Sequence, residues 1–188
     1  MKKIGLLFLL VSIYASAQDK ALLSKKNEIK VDVLAAITDG KLSVSYERFL
    51  EKDFSFGINA RFLNGAKNQN KFEDGFKSNL SKYEINPYVR YALSKSKKSY
   101  YFAEIFASAN GGDFKEINRA IDANGVGYYV IEKSKYTDFG LGGSVGYKLN
   151  IKESWMLEFL VGYGKNLTNT KKSPDVLSRV GINLGYRF

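Results

Sequence analysis

Arg179-Val180-Gly181-Ile182-Asn183-Leu184-Gly185-Tyr186-Arg187-Phe188, the last ten residues of the 188-residue sequence, decide the fold class. Val180, Ile182, Leu184, Tyr186 and Phe188 are apolar or aromatic, and Arg179, Gly181, Asn183, Gly185 and Arg187 stand between them. A helix scatters that pattern around its circumference, whereas a strand sends the two sets to opposite faces. Working back along the chain, the same alternation returns with outward sets Phe54/Phe56/Ile58/Ala60/Phe62, Tyr83/Ile85/Pro87/Val89/Tyr91, Phe139/Leu141/Gly143/Val145/Tyr147 and Trp155/Leu157/Phe159/Val161/Tyr163. It is weaker over residues 29–37, 42–50 and 100–109, where the face holding Asp32, Glu47 and Glu104 is taken as the charged one. Eight strands result.

Connections near residues 51–52, 94–98 and 150–153 are short and polar, and those over 64–80, 111–134 and 165–174 are long. The first hairpin breaks this rule with a tight turn at Thr38-Asp39-Gly40. An even number of strands with short turns at one end and long loops at the other predicts an all-β, eight-stranded antiparallel up-and-down transmembrane β-barrel. A soluble exported lipocalin-like barrel around a small apolar ligand is the alternative, and a narrow solute channel is a third reading.

Aromatic spacing favours the membrane barrel. Phe54 and Phe62, Tyr83 and Tyr91, Phe139 and Tyr147, and Trp155 and Tyr163 form outward pairs eight residues apart. At the rise and tilt of barrel strands that separation is roughly 20 Å, near the ~25 Å apolar band between two aromatic girdles. Tyr101, Tyr186 and Phe188 join the ring beside the short turns. The opposite face carries Asp32, Glu47, Arg61, Glu84, Arg90, Glu104, Lys148, Glu158 and Arg179, the reverse of a lipocalin cavity. An eight-stranded barrel is narrow enough for side chains to fill, so these charges are expected to pair across the lumen. If Phe54 pairs with Tyr91 and Phe62 with Tyr83, the same register sets Arg61 opposite Glu84.

Composition removes most chemistry. Histidine and cysteine are absent, so there is no Ser-His-Asp triad, no thiolate nucleophile, no disulfide and neither of the commonest zinc ligands. Gly142-Gly143-Ser144-Val145-Gly146 matches a nucleophile elbow only in letters, because it lies within a strand in a chain without histidine. Gly140-Leu141-Gly142 lacks the later glycine of a dinucleotide fingerprint. Acidic residues are scattered singly, without metal-loop spacing. No enzyme activity, cofactor or metal is expected. Lysine and arginine exceed the acids by 29 to 19, but the basic residues are dispersed, against nucleic-acid binding.

Residues 1–17 read as a cleavable signal peptide: Lys2-Lys3, the apolar run 4–15, then Ala15-Ser16-Ala17. Residues 18–27 follow as an N-terminal periplasmic segment and 28–188 as the barrel. Within the loop 111–134, residues 114–121 and 126–131 can extend a hairpin beyond the membrane around a turn at 122–125. Its Tyr128, Tyr129 and Ile131 are candidate contacts for an extracellular protein partner.

Over residues 28–188 the chain resembles the small eight-stranded outer-membrane proteins of the OmpA/OmpX type, in particular their barrel-only branch in Gram-negative bacteria. The resemblance rests on the strand pattern, Asn27-Glu28-Ile29-Lys30-Val31 with Tyr46-Glu47-Arg48, and the ending Gly185-Tyr186-Arg187-Phe188. It implies that Tyr186 and Phe188 form the signal read by the outer-membrane insertion machinery, and that the monomer sits in the outer membrane. There Lys67, Lys71, Lys77, Lys165, Lys171 and Lys172 would meet lipopolysaccharide phosphates.

Overall fold

Strands built on period-two alternation bury one face, and here that face is the inside of a closed barrel. The computed structural model describes residues 25–188 apart from 39, 51–52, 95, 97 and 152–153; the leader and most of the segment before the barrel lie outside the described residues. The order is β1 (Asn27–Asp32), α1 (Val33–Thr38), β2 (Lys41–Phe49), β3 (Phe54–Leu63), α2 (Ala66–Glu73), β4 (Asn79–Ala92), β5 (Ser99–Ile121), β6 (Gly127–Asn150), β7 (Trp155–Asn166) and β8 (Val176–Arg187). Every neighbouring pair is antiparallel, and β1 pairs with β8 to close the sheet on itself. Backbone bonds exchanged between Asn27 and Phe188, at 3.1 and 2.8 Å, tie the two ends together. No helix among the described residues is long and apolar enough to cross a membrane.

The expected register of β3 on β4 is the observed one: Phe54↔Tyr91, Arg61↔Glu84 and Phe62↔Tyr83. Outward positions are exposed and apolar, among them Phe56, Ile58, Val89, Ile105, Val145, Val161 and Val180. Inward positions are buried and largely polar, including Glu28, Lys30, Glu47, Arg90, Glu104, Lys148 and Glu158.

Two connections differ from expectation. The first strand does not run through residues 29–37 to a tight turn. It stops at Asp32, and Val33–Thr38 coil into α1. Five consecutive apolar residues follow Asp32, so no alternation remains to hold a strand. The Asp32 carboxylate accepts the N–H of Ala35 at 3.0 Å, as an N-cap does, and that of Ile182 on β8 at 3.3 Å. The connection 64–80 contains α2, whose buried Phe72 has the Lys115 ammonium of β5 over its ring at 4.8 Å. Lys115 caps α2 by donating to the carbonyls of Phe72 and Glu73, where a cation complements the helix C-terminus. Gly40, at φ +59°, passes against Gly65, and a Cβ on either would meet the other's backbone at 2.9–3.0 Å. Two loops cross here at glycine–glycine distance.

Candidate functional site

Alternation places the lumen charges; the curvature of the barrel decides which of them meet. Glu47 and Glu158 share three cations. Lys30, Arg90 and Lys148 lie 2.7, 3.0 and 3.1 Å from Glu47, and 3.1, 2.6 and 3.2 Å from Glu158. Arg90 also donates to Glu104 at 2.7 Å, and Glu104 accepts from Arg179 at 2.5 Å. Toward the short-turn end Glu28 accepts from Lys148 at 2.8 Å and from Arg187 at 2.7 Å. Aromatic rings pack between these charges: Phe102 lies under the Arg90 guanidinium at 3.7 Å and Phe49 under Arg187 at 4.1 Å. The barrel cross-section is filled by paired charges and rings, an arrangement that gives no support to a solute channel.

Glu28, Glu47 and Glu158, isolated in sequence, each bring one carboxylate oxygen within 4.8 Å of the others. The expectation that acids stay scattered holds for the sequence and fails in space. Four buried cations already face this trio, so its donors match ammonium and guanidinium groups in preference to a metal ion.

Lumen residues expected from sequence are all inward, but Arg61 and Glu84 are not each other's best partners. Their nitrogen and oxygen are 3.5 Å apart, whereas Lys41 reaches Glu84 at 2.8 Å. Lys41 lies at the strand end, where alternation gave it no part. A double-mutant cycle in urea should therefore find the Lys41–Glu84 coupling larger than that of Arg61–Glu84. Both should be about 1 kcal/mol or less at this partly wet rim. Lys30, Glu28 and Arg187 are missing from the expected ion-pair set, although each stands on the alternating charged face.

On the outer surface the short-turn ring forms tilted and edge-on pairs. Phe54 and Tyr91 are 4.9 Å apart by ring centroids, Tyr101 and Tyr147 4.8 Å, and Trp155 and Tyr186 5.3 Å. Phe62, Phe139 and Tyr163 are exposed toward the long-loop end, and Tyr83 beside them is half-buried. Phe188 is exposed next to the closing seam.

At the long-loop end Asp138 organises the last loop. Its carboxylate accepts the N–H groups of Phe139, Thr168 and Asn169 at 2.7, 2.8 and 2.9 Å, and the hydroxyls of Thr168 and Ser173. Alternation with the outward Phe139 puts Asp138 on the inner face, and nothing in the sequence gives it this role. An amide cannot accept all five bonds. Asp138→Asn is expected to speed tryptic cleavage after Lys171 and Lys172 about tenfold, through local opening, and to leave the urea midpoint nearly unchanged.

Beyond the barrel β5 and β6 continue as a two-stranded ladder from Phe114↔Ser134 to Ile121↔Gly127, turning at Gly125 with φ +80°. Strand alternation divides the expected contact trio. Tyr129 and Ile131 share the outward face with Ile117, Arg119 and Ile121, while Tyr128 shares the other with Glu116, Asn118 and Glu132. All three are exposed, Tyr129 at 76%.

Solved structures share this architecture. The N-terminal β-barrel domain of Pseudomonas aeruginosa OprF matches at a TM-score of 0.52 with 12% identity, over 87% of this chain and 98% of that one. Neisserial surface protein A matches at a TM-score of 0.51 with 14% identity, over 87% and 95%. The fold is that of the small OmpA/OmpX-type outer-membrane barrels. No curated protein matches the sequence. A family model described as "Protein of unknown function (DUF3575)" matches residues 4–176.

Proposed function

The chain belongs to the family described as Protein of unknown function (DUF3575), and on that premise we propose that it is a non-enzymatic outer-membrane β-barrel protein that meets an extracellular partner through its protruding hairpin. The observation that carries the membrane placement is the inverted barrel: apolar and aromatic outside, charged and paired inside. Such a surface is stable in hydrocarbon, where the strands satisfy one another's backbone groups and β1 on β8 closes the ring. The absence of histidine and cysteine supports a non-enzymatic role.

The hairpin is the part of the molecule best placed to bind. Its outward face presents Ile117, Ile121, Tyr129 and Ile131 with Arg119, all exposed, on a ladder stiffer than an irregular loop. Aromatic and branched residues on such a surface supply contact area at small cost in side-chain entropy. Membrane fractionation and comparison of unboiled with boiled gel mobility test the placement; a freely soluble, heat-insensitive protein would overturn it. Tyr129→Ser with Ile131→Ser should abolish surface adhesion of expressing cells and leave the gel shift intact. Unchanged adhesion would remove the hairpin from the role.

A further inference from the structure

The barrel wall is interrupted at one level between β8 and β2. β1 pairs with β8 only from Glu28↔Arg187 to Asp32↔Asn183, and with β2 only from Asn27↔Arg48 to Val31↔Val44. Above that level β8 continues to Val176 against β7, and β2 to Lys41 against β3. Among the described residues, α1 and not a strand occupies the interval. The register sets its depth: Ser178 faces Tyr163 and Leu42 faces Phe62, so the break lies below the long-loop aromatic ring. A sheet edge facing hydrocarbon is costly, and α1 is what covers this one. Yet α1 has six residues, of which Ala35 is buried, while Val33 and Ile37 point outward, Ile37 76% exposed. A helix this short does not persist without its neighbours.

Directly behind the Asp32 cap of α1 lies a small cavity whose charged walls are the carboxylates of Asp32 and Glu158 and the cations Lys30, Arg61, Arg90 and Arg179, with Tyr88 beside them. Three polar atoms of these walls, Arg61 Nε, Arg179 Nε and Tyr88 Oη, are buried without a hydrogen-bond partner. Arg61 is also the loosest cation of the lumen, 3.5 Å from Glu84 and 3.6 Å from Asp32, against 2.5 Å for Arg179 and Glu104. Buried N–H groups without acceptors are unfavourable and select an incoming anion.

We propose that α1 is a displaceable stopper in the wall, and that the break behind it admits an anionic single-chain amphiphile from the surrounding leaflet. Its acyl chain lies between α1 and β8 along the exposed Val176 and Val180. Its acid group reaches Arg61 and Arg179, and Arg61 exchanges its long contact with Asp32 for the ligand. The inference rests on the membrane placement proposed above and is independent of the hairpin.

The test uses the full chain in phosphatidylcholine nanodiscs and palmitate bearing a diazirine in its chain. Irradiation and peptide mapping should concentrate label on residues 33–38 and 176–182. Excess palmitate should reduce that label about tenfold, and hexadecanol, which lacks the acid, should not. Lysophosphatidate in place of palmitate as competitor distinguishes a phosphate end from a carboxylate. Arg61→Gln with Arg179→Gln should weaken palmitate competition about tenfold, with folding checked by gel shift. Label spread evenly over the outward residues of all strands, or equal competition by hexadecanol, would overturn the proposal even if the double variant failed to fold. A protein that does not enter the nanodisc would instead overturn the membrane placement.

Discussion

Arg90→Ala is expected to lower the stability of the barrel by about 3–5 kcal/mol, read as a fall in the urea midpoint in detergent micelles. Arg90 is 2% exposed and faces Glu47, Glu104 and Glu158 at 3.0, 2.7 and 2.6 Å. Its desolvation is compensated by those carboxylates and by the Phe102 and Tyr88 rings, so the intact pairs add little net stability. Truncation has a different consequence. It takes the shared guanidinium away from three buried carboxylates, leaving Glu47 to Lys30 and Lys148, Glu158 to the same two ammonium groups, and Glu104 to Arg179. Arg90→Ala with Glu158→Gln should recover part of the loss by removing one stranded charge. Arg90→Lys should fall between, because a single ammonium cannot present a planar fork to three partners. A loss below about 1 kcal/mol would show that water reaches these groups and that the lumen is wet.

Phe102→Ala is the second large effect, expected at about 3–5 kcal/mol. Phe102 is fully buried, with Tyr100 and Leu160 in contact and the Arg90 guanidinium over its face. Its ring covers Gly146, directly across the β5–β6 ladder, where a Cβ would collide with the ring and with the Phe159 carbonyl. Gly146→Ala alone should cost about 1–3 kcal/mol by overpacking. The two changes together should not rescue each other, since the carbonyl obstacle remains after the ring is gone. A double variant more stable than Phe102→Ala would mean that the β7 backbone yields.

How much of this was legible in the sequence depends on what fixes each feature. Barrel, strand number and the β3–β4 register follow from alternation because a strand has only two faces, and slipping by one residue inverts all of them. Arg61 opposite Glu84 was readable from that register alone. Arg90 with Glu158 was not: they sit on strands that are not neighbours and meet only through the curvature of the closed sheet. Residues 33–37 read as strand, and Thr38 as the start of a turn, because an apolar run carries no period to distinguish a strand from the helix Val33–Thr38. The usable signal was Asp32 as an N-cap ahead of Val33-Leu34-Ala35-Ala36. Residues 66–73 are mostly polar and gave no sign of α2, which depends on contacts from Lys115 and Phe72.

The mutual bonds of Asn27 and Phe188 have a consequence in time. Every other seam joins neighbours in sequence, whereas Glu28 meets Arg187 across 159 positions. Bringing such distant segments together costs on the order of 4–5 kcal/mol in chain entropy, a cost that no shorter-range ladder repays in advance. Closure is therefore the last event of assembly, and the chain must arrive in full before β1 has its second neighbour. Until then two bare edges are available to any other strand, and an unfinished barrel is exposed to mispairing that the finished one escapes.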